Sequence, residues 1–199
     1  MPRPVSLKSA LILALPLATL AGQAMAHTGH AGHSGLMGGF LHPMLGWDHL
    51  VAMLAVGLWA ASLGGRALYA LPLAFPLVMA LGALAGMAGI ALPGVEAGIA
   101  ASGVVLGLLV AFGLRAPLSV SVALVGVFAL FHGHAHGTEM PGGYGPLAYG
   151  AGFVLGTMLL HLAGLGLGLA ARSGAGRMAM RAAGGLIALT GAAFLLGAA

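Results

Sequence analysis

Six long apolar runs constrain this chain more than any other feature of its sequence. They span Trp47–Leu63, Ala67–Leu92, Val95–Leu114, Pro117–His136, Pro146–Ala171 and Arg177–Ala198. The breaks between them are short and contain Gly or Pro, which punctuate helices. A helix needs about 20 mostly apolar residues to cross a bilayer. The sequence therefore predicts an all-α integral membrane protein, with a six-helix transmembrane bundle over residues 46–199.

The composition excludes most soluble classes of protein. Only 5% of the residues are charged, whereas a soluble domain has about 25%. The net charge of +4 comes from scattered basic residues and not from a basic stripe. Nucleic acid is therefore not a predicted partner, and the lipid bilayer is. The chain has no cysteine, which excludes disulfides and thiolate metal ligands.

The N-terminus has the pattern of a secretory signal peptide over residues 1–26. Arg3 and Lys8 precede a short apolar core, and the small residues of "AMA" provide a cleavage site after Ala26. Cleavage there makes His27 the new N-terminus. The alternative is an uncleaved first transmembrane helix. In both cases residue 27 emerges on the far side of the membrane.

The few charged residues predict the orientation of the bundle. Alternate breaks contain Arg66, Arg115, Arg172, Arg177 and Arg181, whereas Asp48, Glu96 and Glu139 fall at the other surface. Cytoplasmic loops carry an excess of Lys and Arg. This distribution predicts a multi-pass protein of the bacterial inner membrane, with both termini of the mature chain extracytoplasmic.

Two histidine motifs fall at the same predicted surface. "HPMLGWDH", from His42 to His49, begins the first span, and "FHGHAHGTE" ends the fourth. His132 and His136 are four residues apart, so on a helix they share one face, with about 5–6 Å between their Cβ atoms. Imidazole and carboxylate ligands suit nickel, cobalt, zinc or copper(II). An alternative role for Asp48 is to cap the N-terminus of the first helix.

Three further histidine features are considered separately from His42, His49, His132 and His136. His161, with Thr157 one turn away, falls halfway along the fifth span. It is either a polar position deeper in the bundle, past which the ion moves inward, or a histidine that hydrogen-bonds between helices. "HTGHAGH" is a metal-collecting tract or a disordered tail, in a His-rich extracytoplasmic segment predicted for residues 27–45. His134 points away from its neighbours if the helix persists.

The two motifs resemble those of the HupE/UreJ family, the hydrogenase and urease accessory nickel permeases. The family patterns H-P-x-x-G-x-D-H and F-H-G-x-A-H-G-x-E match this sequence at every fixed position. The resemblance implies nickel or cobalt uptake that serves nickel-enzyme maturation proteins. It assigns metal-site roles to His42, Asp48, His49, His132, His136 and Glu139. His27 and His161 lie outside the motifs and are proposed on chemical grounds alone.

The predicted activity is secondary transport of a divalent transition metal. Ni²⁺ is the first expected ion, with Co²⁺ or Zn²⁺ as alternatives. The sequence contains no G-x-x-x-x-G-K-[ST] motif for nucleotide binding. No prosthetic group and no enzymatic activity are expected. Two other functions stay open at this point. The same ligands suit a membrane-embedded metal-dependent hydrolase or a metal-binding subunit of a larger complex.

Overall fold

A computed structural model of the protein describes residues 35–140, 145–171 and 173–197, and all regular structure in these ranges is helical. The helices are α1 Gly35–Leu45, α2 Trp47–Leu63, α3 Ala67–Met87, α4 Val95–Phe112, α5 Leu118–Thr138, α6 Pro146–Ala170 and α7 Gly174–Leu195. Helices α3 to α7 are each long and apolar enough to cross a membrane, and the bent pair α1–α2 makes a sixth candidate span. The predicted all-α membrane class is confirmed. The signal peptide and His27 lie outside the described residues.

The sequence analysis did not predict helix α1. This helix lies in the segment that was predicted to be a His-rich extracytoplasmic region, and it meets α2 at an angle of 80° at Gly46. It packs along α6 through two glycines. A Cβ atom on Gly39 would overlap the carbonyl group of Tyr149, and one on Gly152 would overlap that of Leu36. This close packing holds α1 against the bundle.

Helix α2 is the centre of the bundle and contacts α1, α3, α4, α6 and α7. Its side chains Met53, Val56 and Trp59 are completely buried. The large apolar side chains on the outside, such as Leu77 on α3 and Leu189 on α7, are exposed. A soluble monomer rarely exposes extended apolar surfaces of this kind, whereas lipid covers them on a membrane bundle.

Small residues bring α3 and α5 into backbone contact. Cβ atoms added to Gly82 or Gly86 on α3, or to Gly133 or Gly137 on α5, would overlap backbone atoms of the facing helix. Small residues have this role in many membrane helix pairs, because they let the backbones approach. On α5 the two glycines alternate with the histidines of the second motif, so the same packing fixes the position of the imidazoles.

Arginine side chains cap helices at the end of the bundle that lies away from the histidine motifs. The Nη2 atom of Arg115 donates to the carbonyls of Ser62 (3.1 Å) and Leu63 (3.2 Å) at the C-terminus of α2. Arg181 donates to two carbonyls in the last turn of α4. Cations are favourable there because helix C-termini carry partial negative charge and unpaired carbonyls. We call this end the arginine end and the opposite one the histidine end.

Candidate metal site

His49 lies in the first turn of α2 and is held by the preceding residue. The Oδ1 atom of Asp48 accepts the backbone N–H of His49 at 2.8 Å and lies 2.8 Å from its ring Nδ1. A carboxylate can only accept, so Nδ1 carries the hydrogen and Nε2 keeps its lone pair. Asp48 therefore satisfies a first-turn amide and also orients an imidazole, as carboxylates commonly do for metal-binding histidines.

The lone pair of His49 faces a histidine from the second motif. The Nε2 atoms of His49 and His136 are 2.6 Å apart. Two lone pairs do not approach so closely, so His136 donates the hydrogen in this contact. Asp48, His49 and His136 thus form one hydrogen-bonded chain that links α2 to α5, and all three residues are buried.

Two more imidazoles complete what we call the imidazole cluster, which consists of His42, His49, His132 and His136. The ring centroid of His132 lies 4.8 Å from that of His49, edge to face. The ring centroid of His42 lies 4.6 Å from that of His136. His132 is completely buried, whereas His42 is only partly buried. The structure therefore brings together four histidines from α1, α2 and α5.

These rings contact one another and do not surround a common point. Across the described ranges, no group of three or more His, Asp or Glu side chains is arranged to hold a metal ion. An ion with bonds of about 2.0–2.1 Å to two imidazoles separates their nitrogens by about 2.9–3.4 Å. His49 and His136 are closer than that, at 2.6 Å. Ligation by both therefore requires a small separation of the rings and removal of the hydrogen between them.

The second motif contains two other ionisable residues, Glu139 and His134. Glu139 follows the last residue of α5 and is exposed, with its amide bonded to the carbonyl of Ala135 at 3.0 Å. Its role as a ligand stays a prediction. The Nε2 atom of His134 lies 2.7 Å from the carbonyl of Ile90 and ties the α3–α4 loop to α5. The expectation that His134 points away from the other two histidines of its motif is confirmed.

His161 lies deeper in the bundle, where a proline determines its hydrogen bond. Pro76 has no N–H, so it leaves the carbonyl of Pro72 without its normal intrahelical donor. The Nδ1 atom of His161 lies 3.3 Å from that carbonyl. Because the carbonyl only accepts, Nδ1 carries the hydrogen and Nε2 keeps a lone pair. His161 therefore hydrogen-bonds between α6 and α3, which was one of the two interpretations of this residue from the sequence.

Four buried polar side-chain atoms have no hydrogen-bond partner among the described residues. They are the Nδ1 atoms of His132 and His134, the Oγ1 atom of Thr157 and the Nε2 atom of His161. Thr157 and His161 are four residues apart on α6 and so share one face. An unpaired buried polar atom costs about 1–3 kcal/mol. Such atoms are uncommon in folded proteins and call for an explanation, of which an ion path is one.

Sequence reasoning missed two residues that contact the histidines. The ring of Phe75 on α3 contacts the rings of both His132 and His161, at centroid distances of 5.5 Å and 5.1 Å. Ser102 on α4 lies 3.0 Å from the Nε2 atom of His132. Neither residue belongs to a motif, and both sit in runs of apolar and small residues like many others in this chain. Only the packing of the helices distinguishes them.

These features define a polytopic, all-helical membrane protein with an imidazole–carboxylate cluster at one end of its bundle. The chain belongs to the HupE/UreJ family, because the family described as HupE / UreJ protein matches residues 15–194. Protein HupE from Rhizobium leguminosarum bv. viciae is 48% identical over 183 residues, which cover 91% of this chain and 95% of that protein. No solved structure matches the chain. The resemblance inferred from the two motifs is confirmed.

Proposed function

We propose that the protein is a secondary permease that takes up Ni²⁺, or else Co²⁺ or Zn²⁺, through the imidazole cluster. The observation that carries the proposal is the meeting of four imidazoles and Asp48, from three helices, at one end of a membrane bundle. Nitrogen and oxygen donors of this kind suit these ions. Membership of the HupE/UreJ family supports the same conclusion through its two matching motifs.

The cluster provides a graded capture site at the histidine end. His42 is the most accessible of the four rings and meets an incoming ion first. The lone pair of His49 is already directed into the cluster by Asp48. The negative charge of Asp48 offsets the positive charge of the ion. His136 becomes the second ligand when the two rings separate. Glu139 and the N-terminal histidine tract, HTGHAGH, are proposed to collect cations before they reach this site.

The inward path leads past Phe75 to Thr157 and His161. The lone pair of His161 and the hydroxyl of Thr157 are buried and unpaired within the described part of the chain, so both can replace water on a passing ion. The apolar ring of Phe75 contacts both His132 and His161 and so connects the cluster to this inner pair. A membrane potential contributes about 2.3 kcal/mol per charge per 100 mV. A divalent cation that moves inward therefore gains about twice that, without nucleotide hydrolysis.

Transport by the purified chain is the first expected outcome. The protein is reconstituted into liposomes that contain a Ni²⁺-sensitive dye and carry an inside-negative potential. We expect Ni²⁺ influx above that of empty liposomes, and faster influx at higher potential. If no divalent transition metal enters, the proposal of an autonomous permease is wrong. A metal-dependent hydrolase or a subunit that needs its partner then remains.

Thr157→Val is expected to slow Ni²⁺ uptake while making the protein more stable. The substitution keeps the shape of the side chain and removes an unpaired buried hydroxyl, which costs about 1–3 kcal/mol in the native protein. Uptake by cells and the thermal unfolding of the purified protein are measured in parallel. The matched control is Thr190→Val on α7, where the hydroxyl bonds to the carbonyl of Leu186 in its own helix. Unchanged uptake by Thr157→Val would remove Thr157 from the path.

A further inference from the structure

A hydrogen-bond relay connects α4 to the imidazole cluster. The Oγ atom of Ser102 lies 2.6 Å from the carbonyl oxygen of Ile99, one turn earlier on α4. The same Oγ lies 3.0 Å from the Nε2 atom of His132 on α5. Ser102 and His132 are both completely buried. Helix α4 contributes no histidine to the cluster, but through this serine it contacts one of the cluster's rings.

The hydrogens in this relay can be placed by elimination. Ser102 has a single hydroxyl hydrogen, and the carbonyl of Ile99 can only accept. The distance of 2.6 Å between the two oxygens requires that hydrogen between them. The hydroxyl therefore accepts from His132, whose Nε2 carries a hydrogen. In a neutral imidazole the other nitrogen, Nδ1, then holds the lone pair.

We propose that Ser102 is a positioning residue that holds His132 in the tautomer with Nδ1 free to bind the transported ion. The proposal deepens the function proposed above and rests on it. The Nδ1 atom of His132 is buried and has no partner in the described part of the protein, although its ring touches that of His49. Ser102 acts on His132 as Asp48 acts on His49. The two partners leave the lone pair on opposite nitrogens, on Nδ1 in His132 and on Nε2 in His49, where it accepts from His136.

Ser102→Ala removes the acceptor, so His132 loses its fixed tautomer and orientation. Loss of a group that orients a metal ligand typically costs about 10- to 100-fold in affinity or activity. We expect the KM for Ni²⁺ uptake to rise by about this factor in cells with matched amounts of protein in the membrane. Ser102→Thr keeps the hydroxyl and should restore a KM close to that of the wild type.

Ser121→Ala is the matched control. Ser121 is also completely buried, and its hydroxyl also donates to carbonyls of the preceding turn, those of Ala116 and Pro117. It lies near the start of α5, about three turns from the histidines. We expect its KM for Ni²⁺ to match that of the wild type. An equal rise in KM in Ser121→Ala and Ser102→Ala would overturn the specific role of Ser102.

The tautomer is also measured directly, in the absence of transport. Nitrogen NMR of the protein labelled with ¹⁵N-histidine, with His132 identified by the signals lost in His132→Gln, shows which nitrogen carries hydrogen. We expect hydrogen on Nε2 in the wild type and a mixed or reversed state in Ser102→Ala. Hydrogen on Nδ1 in the wild type would overturn the inference, even if Ser102→Ala did not fold. If liposomes show no Ni²⁺ transport, the proposed function fails, and the NMR result still decides the tautomer.

Discussion

His49→Ala is expected to reduce Ni²⁺ uptake to the level of cells that lack the protein, with normal amounts of the variant in the membrane. Its ring contacts the rings of His42, His132 and His136, so its loss removes the centre of the cluster. It also leaves Asp48 without its imidazole partner. Loss of an orienting group already costs about 10- to 100-fold, and loss of a ligand should exceed that.

The control is His134→Ala, which removes a buried histidine from the same end of the bundle. His134 bonds to the carbonyl of Ile90 and is not part of the imidazole cluster, so its variant should keep most of the uptake. Accumulation is measured for trace Ni²⁺, Co²⁺, Zn²⁺ and Cu²⁺ in turn. Selective loss for one ion in His49→Ala identifies the substrate. Full uptake by His49→Ala would contradict the proposed site.

Gly133→Ala is expected to destabilise the whole bundle, although it adds only one methyl group. The new Cβ would overlap the backbone carbonyl of Met79 on α3. Neither backbone can move aside without separating α3 from α5. Overpacking in a tight core costs about 1–3 kcal/mol, and the site suffers as well, since Gly133 directly follows His132. We expect a lower thermal unfolding temperature in detergent, less protein in the membrane and slow uptake.

Gly126→Ala on the same helix is the control. A Cβ at this position would lie 3.6 Å from a methyl carbon of Val78, which is an ordinary contact. Because Ala has a better helix propensity than Gly, this variant should be as stable as the wild type or slightly more stable. If Gly133→Ala matched Gly126→Ala in stability, α3 and α5 would not pack as closely as the structure shows.

Most of the helices follow from local sequence, because the apolar length and the Gly or Pro breaks define a span. Helix α2 has the bounds predicted for it, Trp47–Leu63. The second span was predicted to end at Leu92, but α3 ends at Met87. Gly89 has φ of +71°, a left-handed conformation that glycine readily adopts and that interrupts a helix. An apolar stretch alone did not reveal that break.

Helix α1 shows what local patterns could not provide. It is only 11 residues long and contains Pro43, and a short isolated helix is marginal in water. Its close packing on α6, through Gly39 and Gly152, is the tertiary contact that stabilises it. This packing also brings His42 to His136. The sequence analysis included His42 in the site through its motif, and the structure shows the contact by which it joins.

The sequence by itself determined that this is a membrane bundle, that the histidines of its two motifs fall near two helix ends, and that thiolate chemistry is absent. These properties depend on hydrophobic length, charge and residue type, all of which are local. The tertiary structure decided which nitrogens of His132 and His161 are free, because their partners Ser102 and Pro72 come from other helices. It also placed Phe75 in contact with both His132 and His161. Such contacts depend on how closely the helix backbones approach one another, and no single stretch of sequence contains that information.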